Sequence, residues 1–283
     1  MKRAWLLAFV LYARPAVAEA PHVLGHFTTT YAVDAEHKAR ASNVELAADA
    51  IDRKVLPPGA TFSFNDAVGE RTAAFGFAKA TVLRDGMLAE GTGGGTCQVA
   101  STLHAAALLA GLEIVSRAPH SRPSAYIRMG LDATVVFGTI DLKIRNPGPE
   151  PVTIRVHAGK GSLDVALESA APKPAVTLTS EIVERTPFAN TYERDRAITD
   201  DKLHVHAFGI PGFKVLRTRT VDGRRDTRLD TYAPVSAVLR AASAADAGTS
   251  TEEPAASVVD PEAVRPALVQ VRPSTLVTLD NAH

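Results

Sequence analysis

Gly91-Thr92-Gly93-Gly94-Gly95-Thr96-Cys97-Gln98 runs into Val99, Leu103, Ala106 and Ala110 at helical spacing, and the reading of this junction decides the fold. Three consecutive glycines lose much backbone entropy on ordering, so such a run marks positive φ or the close approach of another backbone. It is not a phosphate loop, because Thr-Cys-Gln follows where Gly-Lys-Ser/Thr is required. It is not a dinucleotide fingerprint either, because Thr96 stands where the third glycine belongs. A turn leading into a helix is left, with Gly111 placed to close that helix in the left-handed conformation. Cys97 then lies in the first helical turn, where free amides and the helix dipole favour a thiolate. The same amides, around Gly95 to Gln98, suit the oxyanion formed when a thiolate attacks a carbonyl.

Upstream, Ser42-Asn43-Val44-Glu45 reads as a capping box. Val44, Ala47, Ala48 and Ile51 then predict a helix over 43–54, stopped by Leu56-Pro57-Pro58-Gly59. Phe62-Ser63-Phe64 alternates like a short strand, and Phe75, Phe77 and Val82 suggest another. Downstream, a loop holding Pro119-His120-Ser121-Arg122-Pro123 precedes strand candidates at 134–137, 142–145, 152–157 and 163–167, with a turn at Asn146-Pro147-Gly148-Pro149. Helices early and hairpins later predict an α+β fold: a Gly-rich turn leading into a helix, then an antiparallel hairpin sheet, together a core over 19–170. A smaller β-rich C-terminal segment, 171–240, contains 213–220, the turn Asp222-Gly223 and Tyr232-Ala233-Pro234. It is either a small second domain or an extension of the first sheet. Residues 241–283 are rich in Ala, Ser, Thr and Pro, with six acids against two arginines, and predict a disordered tail.

Composition narrows the function. The 283 residues carry 31 basic and 31 acidic side chains, so a nucleic-acid partner held by a basic surface is not expected. One cysteine permits neither an intramolecular disulfide nor a cysteine zinc cluster. Lys2 and Arg3, an apolar run over 4–13, Pro15 and Ala16-Val17-Ala18 have the order of a secretory signal peptide, assigned to 1–18. That run is too short for a bilayer core that needs about twenty apolar residues. No other stretch is long and apolar enough, so no integral membrane segment is expected after cleavage. The protein is read as exported, to the periplasm or cell envelope, where a lone thiol needs an explanation: burial, an intermolecular bridge or nucleophilic chemistry.

A thiol nucleophile needs a base. His104 lies seven residues along the same helix, about 10 Å away on the axis, which is too far for direct proton transfer. His120 has the reach: a helix of about 13 residues carries the chain roughly 20 Å from Cys97, and ten further residues span up to about 33 Å. Asp132, in Gly130-Leu131-Asp132-Ala133-Thr134, suits the orientation of such a histidine. The residues alone leave open a buried cysteine, a loop histidine and a turn aspartate. His204-Val205-His206 puts two imidazoles on one strand face but lacks a third ligand, so no metal is expected. Arg40, Arg71, Arg84 and Arg122 flank the glycine motif and suit a carboxylated ligand, or else ordinary surface ion pairs. No cofactor is expected.

The sequence resembles the VanW-like family of bacterial cell-envelope proteins. The resemblance rests on Phe27-Thr28-Thr29, Arg40-x-x-Asn43, Leu56-Pro57-Pro58-Gly59-Ala60-Thr61-Phe62-Ser63-Phe64-Asn65 and Val68-Gly69-Glu70-Arg71-Thr72. It continues through Gly93-Gly94-Gly95-Thr96-Cys97-Gln98-Val99-Ala100-Ser101-Thr102-Leu103, Arg117-Ala118-Pro119-His120-Ser121 and Gly130-Leu131-Asp132-Ala133-Thr134, over roughly 24–168. Ala100 stands where a serine is common, and His104 where Asn or Tyr is usual. Some members accompany vancomycin (glycopeptide) resistance. For others the resemblance implies L,D-transpeptidase chemistry on peptidoglycan stem peptides. Carried onto this chain, it implies Cys97 as nucleophile, His120 as base and Asp132 as its orienter. Gly93, Gly94, Gly95, Thr96, Gln98, Arg71 and Ser121 are the candidate substrate-binding residues. Two alternatives stand beside it: a thiol peptidase or amidase on the same polymer, and a non-catalytic envelope-binding or accessory module.

Overall fold

The computed structural model describes residues 21–84, 87–200, 202–242 and 277–280. The expected signal peptide and most of the expected tail lie outside the described residues. In chain order the first half contains β1 (His22–Thr30), α1 (Lys38–Ile51), β2 (Val55–Leu56), β3 (Thr61–Ser63), α2 (Phe64–Val68), β4 (Lys79–Arg84), β5 (Met87–Thr92), α3 (Thr96–Leu109), β6 (Glu113–Ser116) and β7 (Lys143–Arg145). The second half contains β8 (Val152–Gly159), β9 (Ser162–Ser169), β10 (Val176–Thr186), β11 (Asn190–Arg194), β12 (His204–Ala207), β13 (Gly212–Val221), β14 (Arg224–Tyr232), β15 (Ala237–Ala241) and β16 (Val277–Asp280). The fold is α+β, dominated by antiparallel sheets with few helices.

Helices α1 and α3 pack on the sheet β1-β9-β8-β2, and their shared interface is the main core. From the spacing, α3 was expected to bury one face; instead nearly every residue from Thr96 to Leu109 is buried. Its alanines explain this, because Ala100, Ala105, Ala106 and Ala107 let neighbours approach on all sides. Gly25 in β1 completes the fit. A Cβ there would lie 2.4 Å from the Ala110 nitrogen and 2.6 Å from the Ala106 carbonyl, so strand and helix touch backbone to backbone.

The structure corrects several local expectations. Helix α1 begins at Lys38, not 43, because Asp34 already satisfies the His37 amide at 3.1 Å. Ser42 and Glu45 lie inside the helix and form no capping box; Glu45 accepts from the Tyr31 hydroxyl at 3.2 Å. Phe64 leaves its strand to start α2, capped by the Ser63 hydroxyl. Phe75 and Phe77 precede the strand that carries Val82. Residues 134–137 form two isolated bridges, Thr134 with Ala118 and Val136 with Ile140, in place of a ladder strand.

The C-terminal segment builds sheets of its own, β14-β13-β10-β16 and β11-β15-β12, and does not extend the first. The Asp222-Gly223 turn joins β13 to β14 with φ of 47° and 82°, as two left-handed hairpin residues require. Of residues 241–283, Val277–Asp280 pair antiparallel with β10.

Candidate functional site

The glycine turn is held from below by α1. Asn43 is buried and its amide donates to the carbonyls of Ala78 and Gly94, both at 3.0 Å, while its oxygen accepts from the Ala78 amide at 2.8 Å. One helical turn earlier, Arg40 donates to Gln98 Oε1 at 2.8 Å, so Arg40-x-x-Asn43 grips both ends of the turn. Gln98 in turn donates to Thr29 Oγ1 and the Thr30 carbonyl, each at 2.9 Å. A Cβ on Gly94 would lie 2.4 Å from the Thr81 carbonyl, which is why the run admits no side chain there.

Helix α3 then zips onto the segment 131–135. Cys97 Sγ contacts the Val135 amide at 3.5 Å and its carbonyl at 3.6 Å. Ser101 donates to the Ala133 carbonyl at 3.2 Å and accepts from its amide at 2.8 Å. His104 Nδ1 lies 2.7 Å from the Leu131 carbonyl, an acceptor, so Nδ1 carries the proton. The match is geometric: steps of four and three helical residues rise about 6 and 4.5 Å, against about 6.6 Å for each pair of extended residues. Burial is the chief reason the His104 pKa falls to about 3, helped by the Arg117 charge, so this histidine is a neutral tether.

This zipper delivers Asp132 to His120. Asp132 Oδ2 accepts from His120 Nδ1 at 2.8 Å and from the His120 amide at 2.7 Å. Its Oδ1 accepts from Arg117 Nη2 at 2.9 Å and from the Tyr232 hydroxyl at 2.5 Å. Burial pushes the Asp132 carboxyl up, but the His120 hydrogen bond and the Arg117 charge outweigh it and hold the group well below the usual carboxylate range. Arg117, sealed from solvent, also donates to the Asp132 carbonyl at 2.6 Å and to Asp230 Oδ2 at 2.5 Å. Asp230 is further paired with Arg228 at 3.0 Å. Tyr232 Oη accepts from the Gly130 amide at 2.7 Å.

Cys97 neighbours the other edge of the imidazole. Burial pushes the His120 pKa down, but Asp132 and Cys97 together raise it to about 9. Burial likewise pushes the Cys97 thiol up; His120, the Val135 backbone and the Arg71 charge more than reverse this, and the net pKa is lowered. The well-directed hydrogen bonds of the two side chains go elsewhere, Sγ to the Val135 backbone and Nε2 to the Tyr126 hydroxyl at 3.2 Å. Thiol and imidazole therefore influence each other as close neighbours that lack an ideal mutual hydrogen bond. Cys97 packs among protein atoms yet keeps part of its surface in solvent. Such a pair can hold a thiolate beside an imidazolium and pass one proton to a leaving amine.

Not all of the candidate residues converge. Thr96 is a structural residue, its amide and hydroxyl both directed at the Gly93 carbonyl. The Gln98 amide is likewise engaged by the Gly95 carbonyl, so of the amides expected to bind an oxyanion these two are already used. Ser121 is exposed, and its carbonyl accepts from Ala233. Arg71 lies beneath Gly93 and donates to the Gly69 carbonyl and Asn65 Oδ1, each at 2.8 Å. His204 and His206 are exposed on β12, with His204 2.8 Å from Asp200. Sequence reasoning missed Ser101, Arg117, Tyr126, Asp230 and Tyr232. Arg117, Ser101 and Tyr232 lie inside quoted stretches but without a role assigned, and Asp230 and Tyr232 reach the site from about 100 residues downstream.

The molecule is thus an α+β protein whose single thiol sits beside a carboxylate-oriented imidazole. Residues 39–168 match the family model described as VanW like protein, so this part of the chain is similar to that family. It is 42% identical over 147 residues to the uncharacterized protein YoaR of Bacillus subtilis (strain 168), covering 52% of this chain and 48% of YoaR. It is 33% identical over 109 residues to the vancomycin B-type resistance protein VanW of Enterococcus faecalis (strain ATCC 700802 / V583), covering 37% of this chain and 40% of that protein. The chain therefore spans about half or less of these curated relatives. No solved structure matches it at a significant level. Cys97, His120 and Asp132 lie within the matched residues; Asp230 and Tyr232 lie beyond them. No helix among the described residues is long and apolar enough to cross a membrane.

Proposed function

We propose that this is an exported cell-envelope protein that carries out cysteine-dependent acyl transfer on peptidoglycan stem peptides, in the manner of an L,D-transpeptidase. The observation that carries the reading is the chain of contacts Asp132–His120–Cys97, with the thiol pKa lowered and the imidazole pKa raised to about 9. The relative that bears a vancomycin-resistance name supports the choice of polymer. In the forward step Cys97 Sγ bonds to a stem-peptide carbonyl carbon. The C–N bond breaks, and the terminal residue departs as an amine protonated by His120. The amine of a second stem then attacks the thioester, its proton passing to His120. The new amide forms as the C–S bond breaks and the thiolate returns. Asp132 keeps Nδ1 protonated and the ring aligned through both steps.

The test is intact-mass measurement of the wild-type protein and Cys97→Ala after incubation with purified tetrapeptide muropeptides. An acyl adduct on the wild type alone is the expected result, with crosslinked products distinguishing transfer from hydrolysis. Absence of both adduct and product, with Cys97 inert to a thiol reagent, contradicts the reading.

A further inference from the structure

Arg40 and Arg71 pack against the glycine turn that leads into Cys97, beside Gly95 and Gly93 respectively. A Cβ on Gly93 would lie 2.7 Å from Arg71 Cβ, and one on Gly95 would lie 3.1 Å from the Arg40 carbonyl and 3.4 Å from its Cγ. The absence of side chains at Gly93 and Gly95 is therefore what lets both arginines pack against the turn. Each is partly buried, and burial is the chief reason each pKa is lowered, while the Cys97 charge acts on both in the opposite sense.

Their partners are neutral. Arg40 donates to Gln98 Oε1 at 2.8 Å and lies over the Tyr126 ring at 5.8 Å. It forms no ion pair among the described residues. Arg71 is bonded to a carbonyl and an amide and stacks on Phe64 and Phe137. Asp141, whose charge acts on Arg71, is occupied by the Ser63 hydroxyl and the Asn65 amide. Partly desolvated cations without a carboxylate are unfavourable unless a ligand supplies one. The thiolate does not fill this role, since His120 already balances it.

A surface cleft between the start of α1 and the β4–β5 hairpin has Arg40 on its wall beside His37, Lys79, Glu36 and Glu90. Both charge signs on this wall suit a zwitterionic peptide better than a polyanion. A carboxylate belonging to a one-residue leaving group sits about one Cα–Cα step, roughly 3.8 Å, beyond the carbonyl under attack. That places it close to the nucleophile, by the glycine turn against which the two arginines pack.

Building on the acyl-transfer reading, we propose that Arg40, with Arg71 across the turn, binds the free C-terminal carboxylate of the peptide that acylates Cys97. The site thereby accepts chain ends and releases single terminal residues. Arg40 makes the defining contact because its planar fork matches a carboxylate.

The test separates binding from chemistry. Cys97→Ala protein is titrated calorimetrically with a tetrapeptide bearing a free C-terminal carboxylate, and with the same peptide as its C-terminal amide. The free acid is expected to bind about ten- to hundredfold more tightly. Adding Arg40→Gln should close that gap. Arg40→Lys keeps the charge without the fork, should narrow the gap in part, and serves if the glutamine variant does not fold. Equal binding of acid and amide, no binding of the acid, or a gap that survives Arg40→Gln overturns the proposal. Selective binding of the acid without acylation of the wild-type protein would sink the acyl-transfer reading and leave the carboxylate site standing.

Discussion

The two sides of His120 are built on opposite plans. On the Asp132 side every charge is answered: four donors meet one carboxylate, Arg117 bridges Asp132 and Asp230, and solvent is excluded. On the Cys97 side the thiol is partly open, the nearby arginines have neutral partners, and Arg40 also borders a surface cleft. The first arrangement fixes a geometry and leaves nothing to bind. The second keeps attraction in reserve for a ligand. A buried carboxylate that satisfied Arg40 would stabilise the fold and block the site.

The largest effect expected from disturbing this contrast comes from Asp132→Asn. An amide cannot answer donors at both positions, and the imidazole loses its aligned acceptor. Activity in the muropeptide assay should fall by about 10⁴-fold. Stability, followed by urea denaturation, should fall by about 1–3 kcal/mol, because buried Arg117 loses one of its two carboxylate partners and keeps Asp230. A variant as stable as wild type would show that the sealed side is not sealed by charge.

A smaller effect is expected at Tyr232. Its hydroxyl links the Gly130 amide to Asp132, so Tyr232→Phe leaves a buried amide without an acceptor and Asp132 short of one donor. Denaturation should register a loss of about 1–3 kcal/mol, with alkylation of Cys97 little changed. A large change in thiol reactivity with unchanged stability would reverse the roles assigned to the two sides.

The smallest effect is a pH dependence. The folded His120 pKa of about 9 stands above the ordinary value of about 6.5. Its stabilising contribution is thus complete below about 6.5 and is lost as pH rises through about 9. The melting temperature should drop from pH 6.5 to pH 9.5 by more in the wild type than in His120→Gln. Equal slopes would mean that His120 is not protonated in the folded protein at neutral pH.

How much of this was legible depended on distance along the chain. The glycine run, the start of α3 at Thr96 and the closing Gly111 follow from local backbone chemistry, and the structure agrees at each. His120 and Asp132 are brought together with Cys97, as chain reach allowed and motif position implied. The start of α1 differs because Ser42 and Glu45 have the composition of a cap, while the Asp34 contact at the true start of the helix lies eight residues before Ser42. The full burial of α3 was missed because alanine at every face gives no periodic signal. Tyr232 and Asp230 act through the β13–β14 pairing, and nothing local in their sequence marks them as neighbours of Asp132.

The central claim is that Cys97 is a thiolate stabilised by His120. It is tested most directly by the rate at which iodoacetamide alkylates the folded protein as a function of pH, in wild type and His120→Ala. The account predicts a wild-type midpoint below the ordinary thiol value of about 8.5, moving upward when His120 is removed. A midpoint at or above that value, or one that His120→Ala leaves in place, would contradict it.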